Sequence, residues 1–303
     1  MTIAFIHPHK AFLPEIPAYT AFFNRYSIQT IIRSPEQTPP LQADVEWYFM
    51  GRAGKNQGRA VVIHEYPSAS TPPLGALKNS IKRLLTPKPA FRLFQNEYVA
   101  GSFRFSDGIP TGIRPHGFTP VPTADLNTPK PYDFIYIGTV GKARQLDRLF
   151  ASFISGPLRD HTLLILSQDY QALQKQLGYP PNIHFKGPVP PAEVPGYIRQ
   201  ASYGINFIPD KAPYNRQPSG KLLDYCACAL PVITTDYPWI RDFQRQAGGA
   251  YYYLQPDLSN FSWEKITQFE YHSPNLTGWT WEEQIRQSGV LEFLQSRFPE
   301  LSF

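Results

Sequence analysis

The sequence predicts an α/β protein with two doubly wound lobes, each around a parallel sheet, facing one cleft. Three observations carry this expectation. Short apolar runs alternate with longer amphipathic ones along the chain, the order that successive βα units produce. A length of 303 residues exceeds the roughly 250 at which one hydrophobic core stops growing, so two cores are expected. A proline- and threonine-rich stretch without periodicity, "GFTPVPTADLNTPKPY", divides these units into two sets and marks a linker between 117 and 131.

In the first set, the apolar runs "IAFI", "IQTII", "VVI" and "FRLF" predict strands at 3–6, 28–32, 61–63 and 91–94. Amphipathic spacing predicts helices at 16–25, 74–85 and 97–103. The second set predicts strands at 134–137, 163–166, 183–185, 204–208, 232–234 and 250–253. Its helices are expected at 146–153, 170–177, 192–199, 220–229 and 240–246. The lobes then span 1–122 and 131–255. Residues 256–303 form a closing segment whose amphipathic stretch, 281–297, is expected to pack back on the first lobe.

A composition 42% hydrophobic and 17% charged excludes a disordered chain. The excess of five positive charges is too modest to argue for nucleic acid. It is compatible with a phosphate-bearing ligand or a peripheral contact with an anionic membrane. The only cysteines, Cys226 and Cys228, lie too close together to staple distant elements, which favours a reducing compartment. The opening "MTIAFIHPHK" reads as a strand rather than a leader, and no apolar run approaches the ~18 residues of a membrane span. A cytoplasmic protein is expected, with at most a peripheral position at the inner face of a membrane.

The most informative stretch is "YNRQPSGKLLDYCACALPVITTD", 214–236. Pro218 cannot continue a ladder and Ser219 is a favoured N-cap, so a helix should begin at Gly220 with free backbone N–H groups at its end. Such an end attracts phosphate. Spacing of three puts Lys221 and Asp224 on one face, while Leu222, Leu223 and Cys226 turn toward a core. The bland reading is a Lys–Asp pair on a solvated surface, worth tenths of a kcal/mol.

The longer text "YGINFIPDKAPYNRQPSGKLLDYCACALPVITTD" resembles the donor-binding segment of GT-B glycosyltransferases of the retaining family-four type, with its "KLxEYxAxGxPVI". "FIYIGTVGKARQLDRLF" and "NIHFKGPVPPAEVPGYIRQASYGINF" resemble two further pieces of that family, in the same order. The resemblance implies two Rossmann-like lobes, a nucleotide-sugar-binding second lobe and an acceptor-side first lobe. It implies that Lys221 and Arg144 neutralise the donor diphosphate, and that Gly138 and Thr139 line the turn facing it. Ser219, Gly220 and Asp224 would bind the donor too, Asp224 accepting from ribose hydroxyls, and the backbone of Gly187, Pro188 and Val189 would read the nucleobase. Three positions depart from the pattern: Arg216 replaces the first Glu of the paired-Glu motif, Thr139 a common Arg, and Asp224 a Glu. Asn215, Arg216 or Gln217 would then contact the sugar.

No Asp-x-Asp occurs, so transfer without a metal is expected, with no cofactor beyond a nucleotide diphosphate sugar as donor, UDP favoured over GDP. The acceptor would be a glycan, a lipid-linked group or a protein. His64, placed after the strand "AVVI", is a candidate for orienting sugar or acceptor, with an ordinary loop histidine as the plain alternative. His7 and His9 are candidates on the acceptor side; two such ligands do not make a metal site. "GRAGKNQGR", 51–59, lacks phosphate-loop spacing. "LGALKNSIKRLLTPKP", 74–89, alternates leucines with bases and fits either an anionic lipid surface or a solvated amphipathic face, the second being the commoner case. Two other readings stay open: a nucleotide-sugar epimerase of the same fold and a non-catalytic nucleotide-binding module.

Overall fold

The computed structural model describes residues 1–7, 12–35, 42–49, 59–122, 129–168 and 170–303. These form two compact units, Met1–Gly117 with Gly278–Phe303, and Phe118–Thr277.

In the first unit the strands are β1 (Thr2–Ile6), β2 (Gln29–Arg33), β3 (Val45–Phe49), β4 (Val61–Tyr66), β5 (Phe91–Phe94) and β6 (Thr111–Ile113). They form one parallel sheet in the order β2-β1-β3-β4-β5-β6. Helices α1 (Glu15–Asn24), α2 (Gly75–Leu85) and α3 (Glu97–Phe103) connect them. One sheet face is an aromatic-rich core in which Phe5, Trp47 and Phe49 pack against Tyr19 and Phe23 of α1.

The second unit has β7 (Tyr132–Ile137), β8 (Leu163–Leu166), β9 (Ile183–Lys186), β10 (Ala201–Asn206), β11 (Val232–Thr235) and β12 (Tyr252–Leu254). The helices are α4 (Asp147–Ile154), α5 (Gln171–Gln176), α6 (Val194–Ile198), α7 (Gly220–Ala227), α8 (Pro238–Ala247) and α9 (Trp263–Gln268). Its parallel sheet runs β12-β11-β10-β7-β8-β9. Chain direction along the sheet reverses between β7 and β10. At such a switch point the loops leaving the two central strands diverge to opposite faces and open a crevice at the carboxyl edge.

Two strands escaped the sequence reading. β3 carries Glu46 as its second residue, and β6 is three residues long with Gly112 at its centre. A Cβ on Gly112 would lie 2.0 Å from the Ser288 carbonyl oxygen, so glycine there serves close backbone approach rather than a turn. The expected closing helix is two, α10 (Trp281–Arg286) and α11 (Val290–Arg297), broken at Gly289, whose φ of 76° is left-handed. Ile285, Val290, Leu291 and Leu294 of these helices enter the first unit's core. The return begins at Gly278, later than the expected 256, because Phe261 and Ile266 complete the second unit's core instead. Among the described residues no helix is long and apolar enough to cross a membrane.

Candidate functional site

The site begins at the ends of β7 and β10, the two strands at the switch point. After β7, Gly138 turns the chain with φ +122°, and a Cβ there would stand 3.6 Å from Lys221 Nζ. That distance is ordinary contact, so it is the conformation that calls for glycine. After β10 the chain makes a short 3-10 turn, Tyr214–Arg216, and enters α7.

Ser219 precedes α7, but its hydroxyl does not cap the helix. It donates instead to Oδ1 of the buried Asn206 at 2.7 Å, and Asn206 in turn donates to Thr234 Oγ1 (3.0 Å) and the Tyr237 hydroxyl (2.9 Å). The first amides to bond inside the helix are those of Leu222 and Leu223, both to the Ser219 carbonyl. Among the described residues, nothing accepts from the amides of Gly220 and Lys221. The helix therefore presents two open donors with the positive end of its dipole behind them. Tyr225 fixes its position: its hydroxyl accepts from the Ile137 amide at 3.0 Å and donates to the Ile135 carbonyl at 3.3 Å, while its ring lies on Gly204, where a Cβ would come within 2.6 Å.

Two cations complete the site. Lys221 Nζ lies 4.0 Å from the centroid of the Tyr136 ring. Arg144 donates from Nε to Thr139 Oγ1 at 3.0 Å and its guanidinium sits 4.9 Å from the centroid of Tyr214. Neither has a carboxylate partner among the described residues. Burial first, and the Arg144 charge second, hold the Lys221 ammonium well below its ordinary range. Arg144, Tyr214, Gln217, Pro218 and the turn Ser219 to Lys221, with Ile208, line a pocket of about 170 Å³. It is smaller than the roughly 300–1,000 Å³ of a site that encloses a drug-sized ligand and suits a diphosphate portion of one.

No protein-family model matches the sequence, and no curated protein matches it. Solved structures do match. Sucrose-phosphate synthase from Thermosynechococcus elongatus superposes with a TM-score of 0.65 at 13% identity, over 98% of this chain and 99% of that one. Anabaena HepE, solved with UDP and glucose, gives 0.61 at 9% over 99% and 100%. The Methanocaldococcus jannaschii UDP-GlcNAc 2-epimerase, solved with UDP-GlcNAc and UDP, gives 0.54 at 12% over 97% and 100%. The chain has the GT-B fold. Identities this low carry the fold and leave the activity to the site.

Within the GT-B chain, the pocket brings together Arg144, Ser219, Gly220 and Lys221 of the expected residues, with Gly138 and Thr139 at its edge. Asp224 lies one turn further along α7, makes no ion pair with Lys221, and has its carboxyl pushed up to about 7 by burial. The bland Lys–Asp pair is therefore not formed: burial alone shifts the Asp224 carboxyl, with no contribution from the ammonium. Gly187 and Val189 follow β9 at the same carboxyl edge, and Gly187, with φ +150°, passes so close to the Ser167 carbonyl that a Cβ would stand 2.2 Å from it. Asn215 is buried and donates to Asp210 Oδ1 at 2.7 Å, leaving its own Oδ1 unpaired. Arg216 is exposed and does not line the pocket.

The structure overturns the placement of His64. It is the fourth residue of β4 rather than a loop residue, is 0% exposed between Tyr48 and Tyr66, and neither ring nitrogen has a partner. Burial, then the Arg92 charge, lowers it to about 3, so it is neutral and sealed from any open pocket. His7 is buried at the end of β1, and His9 and residues 51–58 of the glycine-rich stretch lie outside the described residues. Sequence reasoning missed Tyr136, Asn206, Tyr214 and Tyr225. A polar Asn206 between the apolar Ile205 and Phe207 was the available signal.

Proposed function

We propose that the protein transfers a sugar from a nucleotide diphosphate donor to a glycan, lipid-linked or protein acceptor, without a metal ion and, as the family-four resemblance implies, with retention. The observation that carries this reading is one pocket holding two cations, without counter-charge among the described residues, beside two open helix amides at the switch point of a GT-B second sheet. When the bond from the anomeric carbon to the diphosphate breaks, negative charge gathers on phosphate oxygens. In this reading Lys221, Arg144 and the amides of Gly220 and Lys221, which share the pocket, stabilise that charge with little reorganisation. The leaving phosphate can itself take the acceptor's proton.

The UDP held by two structural neighbours supports a uridine donor. In this reading Asp224 accepts from the ribose, the backbone at Gly187 and Val189 meets the base, and Asn215 or Arg216 takes over at the sugar from the missing Glu. His7 and His9 remain acceptor-side proposals. The test is a thermal-shift screen of UDP- and GDP-sugars followed by product analysis. Slow release of UDP from a stabilising sugar nucleotide supports transfer. Conversion of the sugar to its epimer identifies the epimerase reading, and binding without turnover across a broad acceptor panel leaves a binding module.

A further inference from the structure

Helix α2 is mounted inside out. Its residues Leu77, Ile81, Leu84 and Leu85 fall within an arc of about 100° on the helix, and they are 53%, 46%, 75% and 78% exposed. The opposite side carries Asn79, 3% exposed and the helix's one buried residue. The helix is attached by polar contacts: Asn79 Oδ1 accepts from the Ser70 amide (3.1 Å), its Nδ2 donates to the Ser102 carbonyl of α3 (3.3 Å), and Arg83 donates to the Arg104 carbonyl (3.0 Å). Leu74, 69% exposed, extends the apolar face from a left-handed N-cap position with φ 62°. A leucine in that conformation costs about 1–3 kcal/mol of strain where a Gly or Asn would cost little.

Charge identifies the occupant. Lys78 and Lys82 border the apolar arc on one side and Arg83 lies beyond its other edge, and no Asp or Glu occurs between Glu65 and Glu97. A second copy of the same face would set these bases against each other. We infer that α2 is an interfacial helix that docks the first unit on an anionic lipid bilayer, its leucines entering the acyl boundary and its bases meeting headgroup phosphates. Of the two readings that residues 74–89 left open in the sequence, the inference takes the lipid one, because the apolar face meets solvent rather than the core. It stands independently of the transferase reading.

The experiment is flotation of the whole protein with vesicles of phosphatidylcholine alone and of phosphatidylcholine mixed with phosphatidylglycerol, at low and high salt. The mixed vesicles should capture the protein, and salt should weaken capture. Leu84→Ser and Leu85→Ser change side chains that are already in water, so melting temperature should hold while partitioning falls about tenfold or more for each. Lys78→Gln and Lys82→Gln should each lower it about fivefold. Absence of binding, binding unchanged in the leucine variants, or equal salt-insensitive capture by phosphatidylcholine alone would overturn the inference. So would a dimer in sedimentation velocity that Leu84→Glu converts to monomer, since a second copy would then cover the face.

Discussion

Lys221 sits where burial and a neighbouring guanidinium both disfavour its charge, with no carboxylate among the described residues to restore it. A bound diphosphate reverses that balance. Lys221→Ala should lower turnover by about 100- to 1,000-fold, the usual loss for one preorganised donor to a developing anion. The melting temperature should not fall, since removing an unfavourably buried cation costs the fold little. Asp224 makes a second residue-level prediction. Its carboxyl keeps its proton up to about pH 7 in the folded protein, against an ordinary 3.8 in the unfolded chain. The folded state binds the extra proton across that window, so this group's contribution to stability falls as pH rises from about 4 to about 7. Asp224→Asn should therefore melt above wild type at pH 8 and level with it near pH 4; a constant offset across that range would refute the assignment.

At the scale of elements, the start of α7 depends on a tether rather than a cap. The Ser219 hydroxyl serves Asn206, and Asn206 links β10 to β11 through Thr234 and to α8 through Tyr237. A double-mutant cycle of Ser219→Ala and Asn206→Ala should give a coupling of about 0.5–1.5 kcal/mol, the net worth of one buried hydrogen bond. Additive effects would show that the two residues act separately. The sequence made α7 and its open end legible, because Pro218, Ser219 and Gly220 are local signals, and it made Arg144 and Lys221 legible through resemblance. The tether was not legible, since Ser219 and Asn206 belong to different elements and meet only once the sheet is ordered. His64 was misplaced because a run of apolar residues does not say where a strand ends: β4 continues to Tyr66, and its pairing with Tyr48 and Arg92 takes His64 inside. β6 was hidden by Gly112, which reads as a turn in sequence but is set by the backbone of residue 288. The direction that α2 faces was equally hidden, because amphipathic spacing gives an apolar face without saying what it meets.

For the whole molecule, the chain leaves the first unit at Gly117 and re-enters it at Gly278, so the first unit's core is assembled from both ends of the sequence. Leu294→Ala, at a fully buried position in that core, should cost about 2–5 kcal/mol and lower the first unit's melting transition. UDP should raise the transition of the second unit, which holds the pocket. Scanning calorimetry of both samples checks this, and a UDP shift confined to the first unit's transition would place the ligand elsewhere. The central claim, that Arg144, Lys221 and the α7 terminus receive the donor diphosphate, is tested most directly by titrating UDP into wild type, Lys221→Ala and Arg144→Ala at low and high salt. The account predicts salt-sensitive binding by wild type and a loss of at least about tenfold in each variant, as for hydrogen bonds to charged groups. UDP affinity unchanged by either substitution would contradict it.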